Sequence, residues 1–205
     1  WGVPASNIDP KPTYHTVEMF RALDRGDINF MWIQVTNPMV TMPNLRRYRD
    51  GAKKDGRFIV VSEIYPTPTS DVADVILPSA LWVEREGFFG NSERRTQHND
   101  QLVPKPGEAM CNTWQLIEVA RRMGFEKQFP WSQETYIEDI WNEYIKFHDT
   151  PKHRMAPYKA LKERSGVQWP YVDGKETRWR YNGKYDPACK DDTFDFYGKP
   201  DHRAW

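Results

Sequence analysis

The sequence predicts an α/β fold with an open, mostly parallel sheet and flanking helices, followed by an irregular helical part and a small β-ribbon. Three observations carry this expectation. Residues 28–35 (Ile-Asn-Phe-Met-Trp-Ile-Gln-Val) and 58–61 (Phe-Ile-Val-Val) are nearly continuous apolar runs, the composition of strands buried on both faces of a parallel sheet. Segments with helical spacing alternate with these runs, as right-handed crossovers require. Each run ends in polar turn residues, Thr36-Asn37-Pro38 after the first and Ser62-Glu63 after the second.

The elements follow in order. Residues 14–25 place Thr16, Met19, Phe20 and Leu23 at helical spacing, and Gly26 supplies the stop. Residues 44–54 are polar and basic, as in a surface helix. Asp74-Val75-Ile76-Leu77-Pro78 reads as a third, short strand. Asn112-Thr113-Trp114-Gln115 has capping-box spacing, and the helix after it carries Leu116, Val119, Ala120 and Met123 on one face until Gly124. Ser132 is placed to cap another helix, with Ile137, Ile140, Trp141 and Tyr144 as its buried stripe. Beyond Pro151 the chain becomes rich in Pro, Gly and aromatics. Asp173-Gly174 and Asn182-Gly183 are turn dipeptides, and residues 175–181 between them suit one strand of a ribbon. The expected organisation is an α/β ligand-binding domain over residues 1–150 and an extension over 151–205 packing on it. The ends, Trp1 without a methionine or leader and Trp205, predict an internal piece of a larger polypeptide.

Composition excludes several classes. Lys+Arg and Asp+Glu each number 29, and a zero formal net charge argues against a general nucleic-acid binder. Nine Trp, ten Tyr and ten Phe argue against a disordered chain. No apolar run reaches the roughly 20 residues of a membrane-spanning helix. Two cysteines, Cys111 and Cys189, cannot furnish a four-ligand zinc or iron–sulfur site. The histidines (His15, His98, His148, His153, His202) lack metal-ligand spacing, so no metal site is expected within the chain. No glycine-rich phosphate loop follows either apolar run, which argues against an ordinary dinucleotide-binding unit or a P-loop enzyme, although the sheet is Rossmann-like in outline.

Open α/β sheets bind ligands beyond the carboxyl ends of their strands, which singles out Asn37, Ser62 and Glu63. A carboxylate at such a place suits ribose hydroxyls or a base edge, although polar residues at strand ends also serve as ordinary loops. Residues 84–97 gather Glu84, Arg85, Glu86, Glu93, Arg94 and Arg95 around Gly87 and Gly90. That stretch suits either a phosphate-binding loop or a surface loop laced with ion pairs. Arg46, Arg47, Arg49, Lys53 and Lys54, interrupted by Asp50 and Asp55, read as a solvated helix face.

Taken in order, Thr36-Asn37-Pro38, the segment Val61-Ser62-Glu63-Ile64-Tyr65-Pro66-Thr67, Ala73-Asp74-Val75-Ile76-Leu77-Pro78, Trp82-Val83-Glu84-Arg85-Glu86-Gly87 and Gly90-Asn91-Ser92-Glu93-Arg94-Arg95-Thr96-Gln97 resemble the molybdopterin oxidoreductases that carry a bis(guanine dinucleotide) cofactor. Two later blocks, residues 169–181 and Phe196-Tyr197-Gly198-Lys199-Pro200-Asp201, resemble the periplasmic nitrate reductase catalytic subunits. The resemblance spans nearly the whole chain but only an inner portion of that longer subunit. It implies a periplasmic enzyme reducing nitrate to nitrite at a molybdenum bis(molybdopterin guanine dinucleotide). It further implies a [4Fe-4S] cluster whose ligands lie outside this chain, and a small cytochrome c-type subunit as electron donor. The remaining domains of the same subunit are its other partners, with no nucleic acid and no membrane insertion.

By that resemblance, the chain holds the guanosine end of one cofactor molecule through Asn37, Ser62, Glu63, Arg85 and Asn112. Glu63 stands where aspartate is usual, Arg85 where lysine is common, and Asn112 where aspartate is common. The cluster cysteines, the thiolate ligand to molybdenum and the C-terminal pterin domain have no counterpart here, so the chain alone is expected to be inactive. Alternatives are a formate dehydrogenase or other molybdopterin oxidoreductase segment, and a stand-alone nucleotide-binding or interaction module without redox activity.

Overall fold

A polar residue ahead of an apolar-periodic run starts the first helix, α1 (Thr16–Arg25): the ring nitrogen Nδ1 of His15 accepts the Glu18 amide at 3.4 Å. Gly26 ends it with φ of 96°, a left-handed geometry that costs glycine nothing. The computed structural model describes residues 4–150 and 153–180, and these fall into two compact units. The first takes the chain to Ala80 and again Pro106–Asn112; the second takes Leu81–Lys105 and continues from Thr113.

In the first unit β1 (Phe30–Gln34), β2 (Phe58–Glu63) and β3 (Val75–Pro78) form a parallel sheet in that order. The register pairs Met31 with Ile59, Ile33 with Val61, and Ser62 with Leu77. The crossover from β1 to β2 runs through α2 (Pro38–Thr41) and α3 (Leu45–Ala52). Met31, Ile33, Ile59 and Val61 point to one side, where they bury with Phe20 and Leu23 of α1 and Tyr48 of α3. The opposite side begins with Phe30, 57% exposed, and Phe58, 47% exposed, their rings stacked at 6.1 Å. Burial on both faces therefore does not hold along the whole run: a helical layer covers one face, and the aromatic residues at the strand starts shield each other instead.

Two contacts fix this unit. Asp74 clamps β2 twice, its carboxylate accepting the Ile59 amide at 2.6 Å while its own amide donates to the Ile59 carbonyl at 2.9 Å. At Gly51 an added Cβ would meet Asp24 Cα at 3.1 Å, so α3 lies directly on the end of α1. Beyond β3 the sheet gains one further parallel step. Met110 donates to the Pro78 carbonyl, Ala80 donates to the Met110 carbonyl, both at 3.0 Å, and Ser79 and Met110 form a parallel bridge.

In the second unit β4 (Gly87–Gly90) and β5 (Arg95–Asn99) form an antiparallel hairpin, with β6 (Gly166–Gln168) on the far edge of β5. Half of the stretch expected as a loop is therefore strand. Its period-two alternation is carried by Thr96 and His98, both buried, and polar side chains hide it from a hydrophobicity reading. Asn91 makes the turn by accepting the amides of Glu93 and Arg95, each at 3.1 Å.

Helix α4 (Asn112–Ala120) buries Trp114, Gln115 and Ile117. Leu116, Val119 and Met123, the stripe the spacing suggested, are exposed, and Gly124 breaks the helical line with φ of 88°. In α5 (Tyr136–Tyr144), Trp141 is buried, stacks on Phe88 with centroids 4.2 Å apart, and donates its indole N–H to the Ala156 carbonyl at 3.0 Å. Ala160 and Leu161 of α6 (Tyr158–Arg164) join the same cluster. The ribbon is β7 (Tyr171–Val172) with β8 (Lys175–Glu176), turned by Asp173 and Gly174 at φ of 51° and 75°. The strand after Asp173-Gly174 thus pairs backwards, across that turn. Asn182-Gly183, Cys189, His202 and residues 196–201 lie outside the described residues. Among the described residues no helix is long and apolar enough to cross a membrane.

Candidate functional site

The parallel strands of the first unit all run the same way, so their carboxyl ends share one edge. Asn37 follows β1, Glu63 ends β2, Ser79 follows β3, and Asn112 follows the parallel step at Met110. Residues far apart in sequence are thereby gathered at the end where such sheets take ligands. Asn37, Glu63 and Asn112 are each half-buried, leaving part of each side chain accessible.

Asn37 sits at the residue before α2, yet its side chain does not cap that helix. Its Oδ1 instead accepts from the hydroxyl of Thr69, a residue with no exposed surface. The same hydroxyl accepts the Met39 amide at 3.1 Å. With Oδ1 held this way, the Asn37 amide N–H groups are the ones turned outward as donors. Glu63 accepts the Ile64 amide at 2.8 Å through Oε1 and faces the Thr67 hydroxyl at 3.5 Å through Oε2. Its carboxylate is braced on its own turn.

Ser62 is 4% exposed, and its Oγ accepts from Trp32 Nε1 at 2.8 Å and Gln34 Nε2 at 3.3 Å. This ties β2 to β1 next to Glu63. Asn112 is the first residue of α4. Cys111, just before it, is buried. Ser79, which the sequence did not single out, is 5% exposed, and among the described residues its Oγ has no hydrogen-bond partner. The residue follows β3 directly, but its burial comes from the step to Met110, which no local pattern announces.

In the second unit Arg85 lines a cavity of about 300 Å³ together with Glu86, Phe88, Thr113, Trp141 and Tyr144. The arginines that follow it have structural duties. Arg94 donates to the carbonyls of Trp169, Thr177 and Arg178, and Arg95 pairs with Glu93 at 2.9 Å. Glu86 of the cavity lining also belongs to a polar cluster the sequence did not reveal. His98 Nε2 lies 2.7 Å from Glu86 Oε1, to which the Tyr158 hydroxyl donates at 2.5 Å.

Lys162 donates to the Tyr158 oxygen at 3.1 Å and lies 3.5 Å from Asp100. Burial, aided by the Glu86 acceptor, raises the Tyr158 phenol above its ordinary value, so it remains a neutral donor. Glu86, His98 and Asp100 have their ligand atoms within 4.8 Å of one another, and Lys162 supplies the positive charge of that group.

Comparison with known proteins identifies the class. The family model described as "Molybdopterin oxidoreductase" matches residues 3–122, more than half of the chain. The chain belongs to the molybdopterin oxidoreductase family, and that family implies a molybdopterin cofactor. Among solved structures it is similar to acetylene hydratase from Pelobacter acetylenicus, with a TM-score of 0.55 and 20% identity over 78% of this chain. The match spans 22% of that protein's length.

The strand-exit residues fit the polar part of such a cofactor. The Asn37 amide offers donors, Glu63 offers acceptors, and Ser79 holds a buried hydroxyl without a partner among the described residues. A buried unmatched hydroxyl costs about 1–3 kcal/mol, a cost that a ligand at this edge would remove.

Proposed function

We propose that the chain is part of the catalytic subunit of a periplasmic nitrate reductase, and that it binds the guanosine end of one molybdopterin guanine dinucleotide. The observation that carries the binding half is the gathering of Asn37, Glu63, Ser79 and Asn112 at one carboxyl edge of a parallel sheet. The nitrate half rests on the resemblance of residues 169–181 and 196–201 to that subunit.

Each residue has a task suited to its chemistry. Asn37 donates from its amide, with Thr69 holding the other end. Glu63 accepts from the guanine edge or a ribose hydroxyl through a carboxylate already braced at Ile64. Ser62 ties the last pair of β1 to β2 and fixes the height of Glu63. Arg85 provides a guanidinium for phosphate oxygens, and Asn112 provides a neutral acceptor where the family commonly has a carboxylate. The bound cofactor supplies the redox chemistry that converts nitrate to nitrite. In this reading the [4Fe-4S] cluster and the molybdenum thiolate come from the remaining domains of the subunit. A cytochrome c-type partner delivers electrons in the periplasm.

The test is to purify the full-length protein and measure molybdenum, guanosine nucleotide released by acid, and turnover of nitrate and of formate with a viologen dye. Molybdenum and nucleotide present with nitrate reduced supports the proposal. Formate turnover without nitrate turnover replaces the substrate and leaves the binding half standing. A protein with neither molybdenum nor guanosine nucleotide ends both halves.

A further inference from the structure

Among the described residues, the Ser79 hydroxyl is a buried polar group at the strand-exit edge to which no other side chain or backbone group bonds. Both sides of its backbone are engaged: its amide donates to the Glu63 carbonyl at 2.9 Å, and it forms the parallel bridge to Met110. The residue is 5% exposed, and its Oγ, buried, finds no partner among the described residues. Register fixes where the hydroxyl lies. Leu77 pairs with Ser62, and side chains alternate along a strand, so Ser79 shares the face of Leu77 and Ser62, beyond them at the carboxyl end. On that face the neighbouring hydroxyl, Ser62, collects the Trp32 indole and the Gln34 amide, whereas Ser79 collects neither.

We propose that Ser79 is a further contact for the guanosine nucleotide, its hydroxyl hydrogen-bonding an oxygen of the ribose–phosphate. This rests on the cofactor-binding reading above. A hydroxyl is suited to the role because it can donate to a phosphate oxygen or both donate to and accept from a ribose hydroxyl. Holding it buried beforehand means that ligand binding removes an unmatched group instead of breaking an existing bond, which favours the bound state. Ser79 is thus a contact residue on the edge whose other members are Asn37, Glu63 and Asn112, and it takes no part in redox chemistry.

The experiment uses the full-length enzyme with Ser79→Ala and, because cysteine keeps the volume while weakening the hydrogen bond, Ser79→Cys. Two quantities are read: the rate at which guanosine nucleotide is lost on dilution, and the urea midpoint of apoprotein made in cells that cannot synthesise the cofactor. The expected result is nucleotide loss about fivefold to tenfold faster in Ser79→Ala, intermediate in Ser79→Cys, with the apoprotein midpoint unchanged or raised. A nucleotide loss rate equal to wild type in both variants overturns the contact, and a lowered apoprotein midpoint beside it would identify a hydroxyl satisfied by internal water. Wild-type protein lacking guanosine nucleotide would overturn the cofactor reading itself, an outcome distinct from loaded wild type with an indifferent Ser79.

Discussion

Thr69 holds Asn37 by its hydroxyl: the Thr69 Oγ1 proton goes to Asn37 Oδ1, and the same oxygen receives the Met39 amide. One fully buried side chain thereby connects the loop after β2 to the loop after β1 and sets which end of the Asn37 amide faces outward. Thr69→Val removes both bonds while keeping the shape. It leaves the buried Met39 amide unmatched, so stability should fall by about 1–3 kcal/mol in urea unfolding of the apoprotein. Nucleotide retention should fall with it, and Thr69→Ser should restore both. Full retention in Thr69→Val would detach Asn37 from binding.

Glu63 gives a second test. Glu63→Ala removes the acceptor and should lower molybdenum and guanosine nucleotide together. Glu63→Gln keeps the bond to the Ile64 amide and removes only the charge, so retention should fall by about tenfold, the difference between a charge-assisted and a neutral hydrogen bond. Complete molybdenum loading in Glu63→Ala would count strongly against the contact.

Much of the first unit was legible in the sequence, because its signals are local. The run over β2 ends at Ser62-Glu63, and in the structure Glu63 is the last residue of that strand. Gly26 was a stop signal and adopts the left-handed geometry a stop requires. The strand exits were legible for the same reason. What the sequence hid depends on distant partners. The hairpin of β4 and β5 has Thr96 and His98 inside, and Glu86 there meets the His98 ring nitrogen. Leu116, Val119 and Met123 have correct helical spacing, but Trp114 and Ile117 of the same helix carry more buried surface and set its orientation. Ser79 carries no pattern of its own. Its burial arises from the step to Met110, a pairing no short motif encodes.

Gly51 tests a balance of two opposed effects. In a helix interior, Gly→Ala ordinarily stabilises by about 0.5–1 kcal/mol. At this position the new Cβ would meet Asp24 Cβ and Oδ1 at 3.0 Å and its Cα at 3.1 Å, and backbone cannot move aside cheaply. Overpacking of that kind costs about 1–3 kcal/mol, so Gly51→Ala should be net destabilising by about 1 kcal/mol. A raised urea midpoint would show that α1 and α3 separate easily.

Asp24 gives the pH dependence. It lies in the last turn of α1, where a carboxylate faces the negative end of the helix dipole and is disfavoured by about 0.3–1 kcal/mol. Lys54 Nζ at 2.6 Å and Arg47 Nε at 2.7 Å reverse that sign. The hydrogen bond from Lys54, then that from Arg47, lowers its pKa below the ordinary carboxylate value. A depressed native pKa means the contribution is complete above the unfolded value of about 3.9 and disappears as pH falls through the native value. Asp24→Asn should therefore be less stable than wild type at pH 7 and by the same margin at pH 5. The gap should close progressively below about pH 4, and it should narrow at pH 7 when salt is raised, because Lys54 and Arg47 are partly exposed. Urea midpoints of both proteins at pH 7, 5 and 3 decide it. A gap that persists unchanged at pH 3 would mean that the side chain's shape at the α1–α3 contact, and not its charge, carries the effect.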